Sequence, residues 1–206
     1  MTTALSDFLP DILPLVPGCP DVFARRQLVL AARDLYEQTG AWRTDLEIST
    51  VAGTAEYALT LTAGEAASVF EVVVDGVVIE PVSLLDLGSL YHDWRNATGA
   101  PKFYFVTHDK KLRLVPIPDG VSSVVVNVVT RPTLAATDLP DGANDFHDAL
   151  AHLALSRILA TPGQPFSSVE AAAGYAALGA SALDAIRNSA QRGNARGSVR
   201  TVPRFF

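Results

Sequence analysis

Cysteine is almost absent from this sequence: Cys19 stands alone among 206 residues. A single thiol excludes an intrachain disulfide framework and a cysteine-rich zinc site, and it suits a reducing compartment. Charge is sparse too, at 18% of residues against 49% hydrophobic, a balance that excludes a disordered chain. No uninterrupted apolar run approaches the roughly 18 residues that a membrane span needs. The only apolar stretch near the start is broken by Pro10, Pro14 and Pro17 and follows no basic segment, so no signal peptide is expected. A soluble protein made in the cytosol is the expectation.

Motifs for chemistry are missing as well. There is no Gly-x-Ser-x-Gly, no P-loop, and no Gly-x-Gly-x-x-Gly opening a helix after a strand. His147 and His152 are five apart and do not make the i, i+4 pair that grips zinc, although His152 can meet Asp148 along a helix. His92 and His108 read as solvated. Asp138, Asp141, Asp145 and Asp148 straddle a turn and a helix start, where acids cap and solubilise. Cys19, between Gly18 and Pro20, has no histidine near it in sequence to activate it. Neither an enzyme nor a cofactor is expected.

What the chain does contain is a change of period. Ala24, Leu28, Ala31, Ala32, Leu35 and Tyr36 recur at helical spacing between Pro20 and Gly40, with Arg25, Arg26, Arg33, Asp34, Glu37 and Gln38 on the other side. From Trp42 to Arg131 short runs of Val, Ile, Phe and Tyr alternate and are punctuated by turn residues. Asp75-Gly76 predicts a type I′ hairpin within Val69–Val82. Val74 then faces Val77, Val72 faces Ile79 and Phe70 faces Pro81.

The same register sets Glu71 opposite Glu80, a costly pair unless a cation arrives, for instance from a neighbouring subunit, or unless both carboxylates splay into solvent. A second hairpin is predicted across His108-Asp109-Lys110-Lys111, with Phe103, Phe105, Leu112 and Leu114 on one face. Val124, Val126 and Val128 extend the sheet, and a short helix is expected within Leu84–Trp94.

Helical spacing returns after Pro140-Asp141-Gly142, with Asn144 as the expected N-cap; Phe146, Leu150, Leu153, Ala154 and Ile158 form one stripe, Ala151, Leu155 and Leu159 make the other side apolar as well, and the helix stops before Pro162-Gly163. A last helix starts at Ser167, whose spacing to Glu170 fits a capping box. It is rich in alanine and carries Gly174 and Gly179, so close backbone approach is expected. The predicted fold is therefore α+β: a helical bundle of one N-terminal and two C-terminal helices with an inserted antiparallel β module. Residues 1–41 form the N-terminal segment and helix, 42–132 the β module, 133–192 the C-terminal helices, and 193–206 a flexible basic tail.

That tail breaks the charge balance. The whole chain carries −6, yet Arg187–Phe206 holds five arginines and no acid, so the last twenty residues carry +5 and the first 186 carry −11. An acidic body disfavours a general nucleic-acid binder. A cationic segment ending in Phe205-Phe206 suits an acidic protein surface or a nucleic acid.

Several fragments, in their order, resemble one family. They are Ala24-Arg25-Arg26, the Thr39-Gly40-Ala41-Trp42 exit into strands, Gly99-Ala100-Pro101-Lys102-Phe103-Tyr104-Phe105, Leu112-Arg113-Leu114-Val115-Pro116-Ile117-Pro118-Asp119, and Arg131-Pro132 leading to Leu139-Pro140 and an alanine-rich helix pair. The chain resembles the head-to-tail adaptors, or connectors, of tailed bacteriophages, including the tubular tail protein of T7-like phages. The resemblance implies a structural virion subunit in the neck, made in the host cytoplasm. It implies a ring, commonly dodecameric, that docks on the portal, meets tail or neck proteins and extends a channel through which DNA passes without specific binding. It also implies that Arg192, Arg196, Arg200, Arg204, Phe205 and Phe206 contact the portal or another partner. Candidate subunit-interface residues are Arg25, Arg26, Glu71 and Glu80. The competing readings are a tail terminator or other neck protein, and a small nucleic-acid-binding accessory protein acting through its arginine-rich tail.

Overall fold

The computed structural model describes residues 2–90 and 93–193. The protein is α+β. Its chain divides into two compact units, Met1–Ala41 with Pro132–Phe206, and Trp42–Arg131.

The first unit is helical. Leu5, Phe8, Leu9, Ile12 and Val16 are all buried. They sit on a 3-10 turn (Leu5–Phe8), a one-turn helix α1 (Leu9–Ile12) and a second 3-10 turn (Leu13–Leu15). Pro10 and Pro14, two of the three prolines that interrupt the apolar run in sequence, fall in the first turns of these segments, where a missing N–H costs nothing. Ahead of them, strand β1 (Thr2–Ala4) pairs antiparallel with Asp138–Pro140, placing Thr3 opposite Leu139. Neither the turns nor this pairing is foreseen by periodicity, because each piece is too short to show a period.

Helix α2 (Asp21–Thr39) starts after Pro20 and ends at Gly40, whose N–H returns to the Tyr36 carbonyl at 2.9 Å. Its buried face holds the predicted stripe together with Val29 and Thr39. The next helix differs from expectation at its start. Asn144 does not cap it: a 3-10 turn (Asp141–Phe146) intervenes, and the Asn144 amide donates to Thr3 Oγ1 at 2.9 Å. The α-helix proper runs His147–Leu159 and is buried on both predicted sides through Leu150, Ala151, Ala154, Leu155, Ile158 and Leu159.

The long last helix (Val169–Gln191) is capped one residue later than expected. Ser168 Oγ accepts from the Ala171 N–H, while Ser167 Oγ is engaged with the Thr161 carbonyl and the Gln164 N–H. Gly179 is buried against Leu153 of the preceding helix, and a Cβ there would lie 2.7 Å from Leu153 Cδ2. Gly174 meets nothing within 4 Å. Gly174→Ala is therefore expected to stabilise the protein by about 0.5–1 kcal/mol through helix propensity, and Gly179→Ala to lose that gain to the contact. Urea midpoints of the two variants check this.

The second unit is a seven-stranded, near-barrel sheet. Its strands are β2 (Arg43–Ser49), β3 (Glu56–Ala58), β4 (Glu65–Val74), β5 (Val77–Pro81), β6 (Phe103–Val106), β7 (Lys111–Val115) and β8 (Ser123–Arg131), in the spatial order β2-β8-β4-β5-β6-β7-β3. All pairings are antiparallel except β5 with β6. This parallel step departs from the predicted antiparallel module. It follows from the long connection between the two strands, which carries helix α3 (Leu84–Leu90) and brings the chain back in the same direction.

The Asp75-Gly76 turn forms as predicted, with φ of 48° and 81°, and Val74 faces Val77 and Val72 faces Ile79. The ladder ends there. Phe70 does not face Pro81, because a bulge between Val69 and Glu71 bends β4 while β5 turns to pair with β6. The second hairpin closes with Thr107 opposite Lys111, leaving a three-residue loop in which Lys110 has φ of 55°. An odd loop sets Tyr104 opposite Leu114 and Val106 opposite Leu112. Tyr104, Leu112 and Leu114 consequently enter the main core with Val72, Val124, Val126 and Val128. Phe103 and Phe105 take the other face and pack with Leu87, Trp94 and Val115, so the expected single face of Phe103, Phe105, Leu112 and Leu114 is split in two.

Candidate interaction surfaces

Cys19 and His147, two groups with catalytic potential, are committed within the fold, whereas His108 is fully exposed beside Asp109. The Cys19 thiol donates weakly to the Pro20 carbonyl at 3.8 Å, and burial, followed by the nearby Asp21 carboxylate, pushes its pKa up. That favours the protonated thiol, the opposite of an activated nucleophile. His147 is not simply solvated: it stacks on Phe8 with centroids 4.5 Å apart and reaches Asp11 at 3.4 Å. It fastens the N-terminal turns to the helix that it begins. His152 lies against Tyr175 at 5.7 Å. Among the described residues no three His, Cys, Asp or Glu side chains converge as metal ligands would. His92 lies outside the described residues.

Burial also pushes the Tyr36 hydroxyl far above its ordinary pKa of 10.0. The linkage sign is destabilising at high pH. Above pH 10 the unfolded tyrosine releases a proton that the folded one retains, so stability falls with a slope approaching about 1.4 kcal/mol per pH unit. Urea midpoints between pH 9 and about 11.5 are expected to drop in the wild type, and Tyr36→Phe is expected to flatten that slope.

The cations divide between internal ties and open surface. Arg33 Nη1 donates to the Pro132 carbonyl at 2.7 Å, Arg26 Nη1 to the Leu134 carbonyl at 2.8 Å, and Arg187 Nε to the Gln38 carbonyl at 3.0 Å. Arg157 pairs with Asp34. Arg26, expected at a subunit interface, makes its tie to Leu134 while remaining exposed, as does its neighbour Arg25. Arg192 is exposed just past the last helix. Arg196, Arg200, Arg204, Phe205 and Phe206 lie outside the described residues.

In the sheet unit, the expected opposition of Glu71 and Glu80 does not form. Glu71 lies across from Asn127 of β8, and Glu80 from Phe103 of β6. Both carboxylates are exposed. Phe70, half exposed, carries the Arg43 guanidinium 3.8 Å above its ring. A groove of about 510 Å³ opens beside it, between Ala67–Phe70 of β4 and Tyr104–Val106 of β6. Periodicity does not signal this groove, because it arises where β5 ends.

A model of the SU10 adaptor protein family matches residues 1–202, nearly the whole chain. The chain belongs to the SU10 adaptor protein family. No curated protein matches it. The adaptor is accordingly a structural, non-enzymatic phage protein, in agreement with the resemblance to head-to-tail adaptors seen in its sequence fragments. The family places it among virion components with protein partners. Among the described residues of the adaptor, no helix is long and apolar enough to cross a membrane.

The adaptor's surface suits contacts better than chemistry. Its last helix has only three charged residues in 23, Glu170, Asp184 and Arg187. Ala173, Ala176, Ala177, Leu178, Ala180 and Ala185 on it are exposed. So uncharged a helical face is unusual against water.

Proposed function

We propose that the adaptor assembles into a ring, of dodecameric order, that joins the portal of the phage head to the tail and extends the DNA channel. The observation that carries this reading is the exposed, alanine-rich face of the Val169–Gln191 helix. In a structural adaptor, a smooth apolar face of this kind is suited to packing against a second copy, and identical copies related by rotation close into rings. The acidic body supports the channel part of the reading, since a wall with a net charge of −11 over residues 1–186 offers little to hold phosphate. Arg25, Arg26, Glu71 and Glu80, all exposed, are proposed to lie at contacts between copies. The basic segment from Arg192 through Arg196, Arg200, Arg204, Phe205 and Phe206 is proposed to contact another protein of the assembly.

Electron microscopy of the protein mixed with portal rings tests the proposal. A discrete ring with rotational symmetry, coaxial with the portal, is expected. Association with tail-tube protein but not portal would favour a tail terminator, and association with neither would overturn the reading.

A further inference from the structure

The groove beside Phe70 has the form of a missing strand. β5 pairs with β4 only from Val72 to Val74, then crosses to β6 and leaves the sheet after Pro81. From Ala67 to Phe70, β4 therefore has β8 on one side and, among the described residues, no hydrogen-bonded strand on the other, where β6 faces it across the groove. Bulges at Ala67 and Phe70 take those two residues out of register with β8 as well. Just outside the groove, Lys110 Nζ donates to the Ala66 carbonyl at 3.2 Å. The walls are apolar, with Val69, Phe70, Leu84 and Val106 at the rim. Phe70, Leu84 and Val106 are 54%, 59% and 41% exposed. An open backbone edge between apolar walls is the arrangement that accepts an added strand.

We propose that this seam receives residues Ser198–Val202 of a neighbouring copy as an added β-strand. The inference rests on the ring reading above and names the protein surface that the basic segment meets. Three features of the sequence select this occupant. Thirteen residues, 194–206, lie beyond the described chain, and a four-residue seam needs only about 13 Å of strand. Within them Ser198-Val199-Arg200-Thr201-Val202 is rich in β-branched residues, unlike the alanine-rich helix before it, and Pro203 ends the strand for want of an N–H. The charges are complementary: residues 194–206 hold three arginines and no acid, whereas residues 42–131 hold eleven acids against seven bases, with exposed Glu71 and Glu80 on the strands beside the seam. Val199 and Thr201 share one face of such a strand, and Arg200 takes the other.

Disulfide trapping in the full-length chain tests this. With Cys19→Ala in both, one preparation carries Ser68→Cys at the exposed seam position and another, differently tagged, carries Thr201→Cys. The two are mixed, assembled on portal rings and mildly oxidised. The expected result is a mixed dimer carrying both tags on a non-reducing gel. Adding Val199→Pro to the second chain leaves charge unchanged but removes a strand donor, and is expected to reduce the mixed dimer about tenfold. Rings on the portal without the mixed dimer would overturn this inference and leave the ring reading standing. So would a disulfide formed only within one chain of a Ser68→Cys/Thr201→Cys double variant, or trapping of Thr201→Cys on the portal alone. Absence of any ring would overturn both.

Discussion

Gly64→Val is expected to lower the Tm of the sheet unit by about 15 °C or more. Gly64 precedes β4 with φ of 74°, a left-handed conformation that costs an L-residue about 1–2 kcal/mol and a β-branched one more. Space is the second obstacle. A Cβ at Gly64 would lie 2.6 Å from the Arg131 carbonyl oxygen, 2.8 Å from Thr130 Cγ2 and 2.9 Å from Trp42 Cη2. The oxygen belongs to β8, and Arg131 lies opposite Glu65 in the ladder, so it yields only if the strands part. Overpacking of this kind adds about 1–3 kcal/mol, for a total of about 3–5. Both tryptophans, Trp42 and Trp94, lie in this unit, so the fluorescence transition reports on it directly. Gly53→Val separates the two causes. Gly53 has φ of 79° but nothing within 4 Å of a Cβ, and is expected to show the conformational part alone.

In the helical unit the largest loss is expected from Phe8→Ala, at about 3–5 kcal/mol. Phe8 is fully buried, and its ring forms one side of the His147 stack. Truncation empties a core position and also removes the surface on which His147 rests while reaching Asp11. The thermal transition followed by circular dichroism at the helical band measures the loss. Phe8→Leu, which restores most of the volume without the stack, is expected to recover most of it. A result near zero for Phe8→Ala would show that the N-terminal turns are not part of the cooperative helical core.

Long, repeated patterns were legible in the sequence. The Ala24–Tyr36 stripe, the doubly apolar helix around Leu150 and Leu155, the Val124-Val126-Val128 alternation and the Asp75-Gly76 turn all appear as expected. Each is specified by neighbours within a few residues. The misses share a cause. The caps at Asn144 and Ser167 failed because their side chains found partners elsewhere, at Thr3 and at Thr161. The faces of Phe103 and Phe105 were misassigned because one residue more or less in a hairpin loop reverses every side chain beyond it.

The scarcity of cysteine and of catalytic motifs, the helix–sheet–helix order and the basic end were determined by the sequence by itself, because they are properties of composition and local period. Whether Glu71 meets Glu80, which carbonyl Arg26 holds, and where the sheet leaves an edge exposed were decided only by the tertiary structure. All three depend on which strand or turn lies alongside, and that is settled by bulges, loop length and the parallel β5–β6 step. These act between residues far apart in the chain, where no local pattern records them.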